Sequence, residues 1–266
     1  MKTLPTNRKQ FHTASRALLV ALSFVALVSG CDEEKKSAEP ATRVAKSAAA
    51  PEPVAPIAKS PPTLVIDESG PQVRGMSAVL KQENGAPNAP GIANLKSYLE
   101  DEKEFLEDKE VEIEIARKTP PEFVVIFLSA LADLHPQKVT IKTSTRSSYP
   151  TTIEFIPQEL LKKPKPCSLV GTITKKRGTA IWKLSGGTAH KRARGMSGPD
   201  LSMTGETIER MAKKCESDTF FVTAAEGITW GQIYDLAGAG ISLEKAGITH
   251  AVLSKSALTP GRPVKL

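Results

Sequence analysis

Over most of the chain, the pattern of apolar and polar positions alternates between a period of two residues and a period near 3.6. In residues 110–116, Val111, Ile113 and Ile115 alternate with polar residues, which predicts a strand that buries one face. In residues 92–109, apolar side chains recur at three- and four-residue spacing, which predicts an amphipathic helix. Strands and helices are therefore expected to alternate along the chain, as in a mixed α and β fold.

The predicted elements occur twice in the same order, strand–strand–helix–strand–helix–strand. The first series has strands at 63–67, 73–80, 110–116 and 138–143 and helices at 92–109 and 120–134, with an extra strand at 151–156. The second series has strands at 168–174, 179–184, 219–223 and 250–255 and helices at 202–216 and 230–246. We therefore predict an α+β fold of two tandem two-layer β-β-α-β-α-β modules, residues 63–156 and 167–257, with helices on one face of each sheet.

Two helix starts carry the same local pattern. Residues 119–122 read T-P-P-E and residues 229–232 read T-W-G-Q, and each pattern precedes an apolar helix that leads to a strand. Both fit a capping box, in which the threonine oxygen and the acidic or amide side chain bind exposed backbone N–H groups. We interpret this agreement as a sign of internal duplication.

The N-terminal segment has the pattern of an export signal. Residues 2–16 carry four basic residues and no acidic residue, and the apolar run at 17–28 is shorter than the roughly 20 residues that span a bilayer. Val28-Ser29-Gly30-Cys31 follows and resembles the bacterial lipobox, in which the chain is cut before the cysteine and the thiol is acylated. We predict a lipoprotein signal peptide at 1–30 and lipidation of Cys31. An ordinary cleaved signal and an uncleaved anchor are the alternatives.

An acylated Cys31 would hold the chain at a bacterial cell membrane, on its periplasmic side. Asp32 resembles the inner-membrane retention signal of enteric bacteria, so we favour the inner membrane and leave the outer membrane open. Residues 31–62 are rich in Ala, Pro, Lys, Glu and Ser, which predicts a disordered linker. At polyproline pitch this linker would extend on the order of 90 Å.

Charge and cysteine content narrow the class of partner. The net charge is +7, but the predicted signal supplies four of the basic residues, so the remaining chain is near +3 and gives little indication of nucleic-acid binding. After Cys31 two cysteines remain, Cys167 and Cys215. They could form a disulfide in an oxidising compartment, or Cys215 could be a buried free thiol on a helix face.

Four short motifs near the C-terminus carry a resemblance to a known family. They are Phe220-Phe221-Val222 in a predicted strand, Thr229-Trp230-Gly231 at a helix start, Ala246-Gly247-Ile248 at its end and Ala251-Val252-Leu253 in the last strand. Their order resembles the periplasmic domain of the ExbD/TolR family of biopolymer-transport proteins. The resemblance covers residues 168–257, and the first module fits the same outline with fewer matching residues.

One departure from that family bears on function. Family members begin with a cytoplasmic stub and a spanning helix that carries an aspartate, which couples them to proton flow. Residues 17–30 hold no acidic residue and are too short to span. The resemblance therefore implies the periplasmic recognition domain without a proton-conducting helix.

From these features we expect a non-enzymatic, lipid-anchored component of an envelope biopolymer- or protein-transport complex, with no cofactor and no nucleic-acid partner. Its partners would be envelope proteins, peptidoglycan or a second copy of the chain. The strand residues Ala251, Val252, Leu253 and Ser254, next to a flexible tail at 258–266, are the candidate edge for strand addition or dimerisation. The alternative is a periplasmic ligand-binding lipoprotein with a cleft between the modules.

Other candidate chemistry is sparse. His135, His190 and His250 show no metal-ligand spacing, and no pattern of a hydrolase is present. The basic runs at 175–177 and 190–194 could meet anionic partners such as lipid headgroups or cell-wall polymer, although solvated loops are the simpler interpretation. The tryptophans at 182 and 230 are expected to pack in the core.

Overall fold

The first of two sheets is formed by the N-terminal half of the folded region. The computed structural model describes residues 59–80, 88–146, 148–256 and 258–266, so the predicted signal peptide, Cys31 and nearly all of the predicted linker lie outside the described residues. The strands are β1 (Leu64–Asp67), β2 (Gly70–Val73), β3 (Met76–Ser77), β4 (Glu110–Ile115), β5 (Lys138–Lys142) and β6 (Thr152–Glu154). Their order is β3-β2-β1-β4-β5-β6. β1 pairs antiparallel with β2 and parallel with β4, and β4 pairs parallel with β5.

The second sheet has five strands in the order β13-β12-β7-β8-β9. They are β7 (Leu169–Ile173), β8 (Thr179–Lys183), β9 (His190–Arg192), β12 (Thr219–Ala224) and β13 (His250–Leu253). β7 pairs antiparallel with β8 and parallel with β12, and β12 pairs parallel with β13. The four strands β2, β1, β4 and β5 of the first sheet are therefore paired in the same way as β8, β7, β12 and β13 of the second. A separate two-stranded ribbon joins β10 (Arg194–Gly195) to β11 (Gly198–Pro199).

The helices connect the parallel strands of each sheet. They are α1 (Ala89–Asp101), α2 (Lys103–Leu106), α3 (Pro121–Ala132), α4 (Leu201–Ala212) and α5 (Trp230–Ile241), with short 3-10 helices at Gln158–Leu160 and Glu244–Ala246. The protein is thus a mixed α+β fold with two mixed sheets, which confirms the predicted class. The described residues form one compact unit.

One continuous hydrophobic core runs beneath the helices of both sheets. It contains Val111, Ile113 and Ile115 of the first sheet together with Phe220 and Val222 of the second. The opposite face of the first sheet is open, since the glutamates that alternate along β4 are exposed. This alternation is the pattern that the sequence predicted.

The opposite face of the second sheet is covered by the C-terminal tail. Trp182 and Phe221 lie in a second hydrophobic cluster on this face, against which Leu258 and Val264 pack. Trp182 Nε1 donates a hydrogen bond of 3.0 Å to the carbonyl of Arg262. The prediction of a flexible tail at 258–266 is therefore wrong, because these residues pack on the second sheet, which is buried on both faces. Both tryptophans are fully buried, as predicted.

The strand predicted at 73–80 is wrong, because the chain turns back within it. β2 ends at Val73 and β3 begins at Met76, and the two strands pair antiparallel across Arg74 and Gly75. Both turn residues have positive φ, 49° and 79°. Such a turn needs left-handed backbone at both central positions, and Arg74 gave no sequence signal for it.

The helix predicted at 92–109 is interrupted at Glu102, which separates α1 from α2. The Glu102 side chain is buried and accepts two hydrogen bonds from Arg74, of 2.5 and 2.7 Å. The hydrogen bond from Arg74 holds the pKa of Glu102 below its usual value. The apolar stripe predicted the helix correctly, but an inward-facing carboxylate has no signature in that stripe.

The capping box predicted at the start of α3 is also wrong. The N-cap of this helix is Pro120, and Thr119 Oγ1 instead donates a hydrogen bond of 3.1 Å to the carbonyl of Ile66 in β1. Thr119 is fully buried, so its hydroxyl needs a partner, and a strand carbonyl supplies it.

Candidate functional site

The two sheets meet edge to edge at the end of β6. Phe155, which follows β6, forms a parallel bridge with Ala251 of β13, and the N–H of Ile156 donates a hydrogen bond of 2.9 Å to the Ala251 carbonyl. Phe155 also remains bonded to the first sheet, since its N–H donates to the carbonyl of Val139 at 2.9 Å. We call the Phe155–Ala251 contact, together with the side chains packed around it, the joint.

An aromatic cluster fills the joint. The ring of Phe155 lies 5.3 Å from the ring of Trp230 and 6.0 Å from the ring of Tyr234, and the last two lie 5.6 Å apart. Trp230 Nε1 donates to Thr143 Oγ1 at 2.9 Å, and the Tyr234 hydroxyl donates to the Ile141 carbonyl at 2.7 Å. Because burial raises the pKa of Tyr234, its hydroxyl stays protonated as a donor. Helix α5 is thereby fixed to the end of β5.

The start of α5 is bound by the loop between β4 and α3. The N–H groups of Trp230 and Gly231 donate to the carbonyls of Thr119 and Arg117, at 3.0 and 2.8 Å. Among the described residues the side chain of Thr229, the N-cap, makes no capping hydrogen bond. The second predicted capping box is therefore wrong, because backbone carbonyls from the loop between β4 and α3 satisfy these exposed N–H groups.

A buried ion pair lies beside this helix start. Arg117 donates two hydrogen bonds to Asp235 of α5, of 3.0 and 2.7 Å, and one of 2.5 Å to the Ser144 carbonyl. Arg146 Nε lies 3.4 Å from the same carboxylate. The Asp235 side chain is only 2% exposed, and its hydrogen bonds raise the pKa of Arg117. Paired guanidinium and carboxylate groups in this geometry hold two elements in register.

A second polar cluster closes the joint from the other side. Glu159, in the 3-10 helix after β6, accepts hydrogen bonds from Ser129 of α3 and from Lys255 after β13. The N–H of Lys255 donates to Gln158 Oε1 at 3.0 Å. Burial opposes ionisation of Glu159, yet these hydrogen bonds hold its pKa below the usual range. The connector between the sheets is thus tied to both of them.

The candidate partner-binding strand, Ala251–Ser254, lies inside this joint. All four residues are buried, and Ala251 is paired with Phe155. The edge of β13 is therefore in contact with the chain's own first sheet, and an added strand would have to displace that contact. Its role in partner binding stays a prediction.

The basic runs lie at the opposite edge of the second sheet. The turn between β7 and β8 carries Lys176 and Arg177, and β9 and β10 carry Lys191 and Arg194, all exposed. Lys176, Lys191 and Arg194 line one groove of about 420 Å³. We call these four residues the basic edge. Within the described residues, no carboxylate lies within 4.0 Å of their charged nitrogens.

A hydrophobic side chain stands beside the basic edge. Met196 is at the tip of the β10–β11 ribbon and is fully exposed. In the sequence, Met196 stands in a Gly-, Ser- and Pro-containing stretch with no apolar periodicity, so no pattern marks it as a contact residue.

Cys167 and Cys215 form a disulfide that ties the start of β7 to the chain after α4. This resolves the alternative that the sequence left open. In the described part of the chain no cluster of three or more His, Cys, Asp or Glu side chains has a metal-binding arrangement, and no helix there is long and apolar enough to cross a membrane. Cys31, the predicted lipidation site, lies outside the described residues.

The ion pair in the joint has no signature in the sequence, since Arg117 and Asp235 lie 118 positions apart. The sequence predicted the strand at 151–156, which includes Phe155, but did not predict that this strand would pair with residue 251. No protein-family model, curated protein or solved structure significantly matches this chain.

Proposed function

We propose that this chain is a lipid-anchored, non-enzymatic envelope protein that presents two ExbD/TolR-type modules as one rigid body on the periplasmic side of the membrane. One observation carries the proposal: the order β2-β1-β4-β5 in the first sheet and β8-β7-β12-β13 in the second has the same parallel and antiparallel pairings. This is the connectivity expected of the tandem β-β-α-β-α-β modules.

The disulfide supports the compartment in this proposal. Disulfides persist in oxidising compartments such as the bacterial periplasm and are rare in the cytosol. Cys167 and Cys215 are the only cysteines after Cys31, and they are paired with each other. This pairing is independent of the N-terminal signal and points to the same side of the membrane.

The joint supports a scaffold rather than a hinged receptor. The polar side chains between the sheets bind one another, and in the described residues no buried side-chain nitrogen or oxygen lacks a partner. The groove lined by α3 and by residues after β12 and β13 has about 200 Å³, below the roughly 300–1,000 Å³ of most ligand pockets, whereas the groove lined by Val139, Phe155 and Ile156 has about 600 Å³. Groove volume therefore does not separate the two alternatives, and the adaptor is favoured by the satisfied polar contacts of the joint.

Mass spectrometry of the mature protein purified from its native membrane tests the anchor. We expect an N-terminus at Cys31 that carries acyl groups, and a Cys31→Ser variant that no longer floats with membranes. Because two acyl signals are needed for stable attachment, partial acylation would weaken flotation rather than abolish it. A chain that begins at Met1, or at an unmodified residue, would contradict the proposal.

A cross-link across the joint tests the partner-binding strand. Gln158→Cys and Lys255→Cys, joined by a short bismaleimide, would hold β13 against the first sheet, since the two residues are already in contact. If strand addition to residues 251–254 drives association, the linked chain should lose any dimer that light scattering detects before linking. The same pair left unlinked is the control. A dimer that survives linking would exclude this strand as the interface.

A further inference from the structure

We propose that the basic edge and Met196 together form a surface that docks on anionic lipid headgroups, with the Met196 side chain entering the interfacial layer. This goes beyond the acyl anchor, because it concerns the orientation of the folded domain at the bilayer. The acyl chains would act through Cys31, whereas this surface belongs to the second sheet.

The charges of the two halves differ in sign. Residues 63–156 carry 15 acidic and 10 basic side chains, whereas residues 167–266 carry 8 acidic and 14 basic ones. A domain with such an asymmetry orients in the field of a negatively charged surface, with its basic half nearest the lipid.

The cations of the basic edge are free to bind a partner. Many cations of the first half lie in ion pairs, including Lys96 with Asp133, Lys138 with Glu154 and Arg117 with Asp235. At the basic edge the nearest such pair joins Lys175 to Glu226 at 3.8 Å, and both side chains are exposed. The four residues of the basic edge have no such partner within the described residues, so their charge is not neutralised internally.

The turn geometry holds these charges outward. Arg177 has a φ of 58° in the tight turn between β7 and β8, where its N–H donates to the carbonyl of Thr174 at 2.8 Å. A Cβ on Gly178 would lie 2.4 Å from the carbonyl of Arg192, so this turn packs directly against the end of β9. Lys176 and Arg177 are thereby held beside Lys191 and Arg194.

Met196 distinguishes a lipid surface from other anionic partners. A fully exposed methionine at a ribbon tip, two residues after the exposed Arg194, matches surfaces that bury an apolar side chain at the headgroup boundary while cations bind phosphate. An acidic polysaccharide offers such a side chain little apolar contact.

An environment-sensitive fluorophore on Ser197→Cys, next to Met196, reports contact with the bilayer. Ser197 is exposed, and Ser77→Cys, at the exposed edge of the first sheet, is the matched control position. The full chain is mixed with vesicles of phosphatidylcholine alone or with phosphatidylglycerol. We expect blue-shifted emission at 197 with phosphatidylglycerol only, no shift at 77, and reversal in about 1 M salt, where the screening length is about 3 Å.

Two variants test the surface itself. Lys191→Glu with Arg194→Glu should lower the association constant read at 197 at least about 25-fold, since each cation near an anionic surface contributes about fivefold. Lys118→Glu with Lys142→Glu, two exposed cations of the first half, makes the same change in net charge and should have little effect. Met196→Ser should reduce the shift and leave the melting temperature unchanged.

The outcomes separate this proposal from the anchor. Flotation with no shift at 197 would keep the anchor and overturn the docking surface. A shift at 197 in a native protein that carries no acyl groups would keep the docking surface and overturn the anchor. A shift on phosphatidylcholine equal to that on phosphatidylglycerol, or an equal loss in the control variant, would also overturn it. A response to isolated peptidoglycan but not to vesicles would assign the surface to the wall polymer instead.

Discussion

Arg117 and Asp235 are joined by two hydrogen bonds of 3.0 and 2.7 Å across the joint between the sheets. Arg117 follows β4 in the first sheet, and Asp235 lies in α5, which packs on the second. The pair therefore fixes the relative position of two elements that lie far apart in the sequence. Breaking a buried pair is costly because the remaining charge has lost its partner.

Replacing Asp235 should therefore destabilise the whole fold. We expect Asp235→Ala to lower the free energy of unfolding by about 3 kcal/mol, near the lower end for broken buried pairs because Arg117 is partly exposed. Urea denaturation followed by circular dichroism measures this. Asp133→Ala, which breaks the exposed pair with Lys96, should cost less than about 1 kcal/mol. Equal losses in both variants would show that the joint gains nothing from its ion pair.

The disulfide should stabilise the protein mainly through the unfolded chain. Cys167 and Cys215 are 48 positions apart, and closing a loop of that length corresponds to about 4 kcal/mol in the chain-entropy account. We expect Cys167→Ser with Cys215→Ser to lower the free energy of unfolding by up to this amount. Dithiothreitol should lower the stability of the native protein and leave the double variant unchanged. A native protein that is insensitive to reductant would contradict the expectation.

The pair of Arg74 and Glu102 predicts a defined pH dependence. The hydrogen bond from Arg74 lowers the pKa of Glu102 in the folded state below the reference value of 4.5. A group with a depressed folded pKa adds stability above its unfolded pKa, and that stability is lost as the pH falls through the folded value.

Glu102→Gln should therefore be less stable than the native protein at pH 7, and the difference should be smaller at an acidic pH below 4.5, where protonation of Glu102 begins to remove its stabilising contribution. Urea denaturation at both pH values gives the comparison. Glu68→Gln removes a carboxylate at 4.0 Å from Lys118 in an exposed turn and should cost below about 0.5 kcal/mol at either pH. A difference at Glu102 that grew on acidification would contradict the assigned role of Arg74.

The continuous core predicts a single unfolding transition. Trp182 lies in the cluster beneath the tail, and Trp230 lies in the joint, so each of the two tryptophans reports on a different region. In Trp230→Phe and in Trp182→Phe, we expect the fluorescence midpoint in urea to coincide with that from circular dichroism. Comparing two probes within one variant removes the effect of the substitution itself. A separate midpoint for Trp182 would show that the second sheet unfolds independently.

The strands and helices were largely predictable because their signals are local. Val111, Ile113 and Ile115 alternate along β4, and Gly247, which follows the last predicted helix, adopts a left-handed conformation with φ of 67°. Such patterns reflect which face of an element is buried, and burial follows sequence period. The alternation of strands and helices likewise predicted the mixed α+β class.

The joint was not predictable because its contacts are long-range and individually unremarkable in sequence. Phe155 is one of eight phenylalanines in the sequence, and only its position beside Ala251 makes it a bridge between the sheets. The threonines at 119 and 229 show the same limit from the other direction. Their local pattern fits a capping box, but tertiary packing decides otherwise. The Thr119 hydroxyl donates to a strand carbonyl instead, and carbonyls of the loop between β4 and α3, rather than Thr229, bind the N–H groups at the start of α5.

The position of β1 in the first sheet determines how the protein responds to mechanical load. β1 is the first strand in the described part of the chain, yet it lies in the sheet interior, with β2 on one side and β4 on the other. Tension transmitted through the residues that precede Leu64 would act on a strand held by two hydrogen-bond ladders at once. Extraction of β1 would require both ladders to rupture. A force applied through the preceding residues would therefore move the entire domain before it pulled β1 out of the sheet.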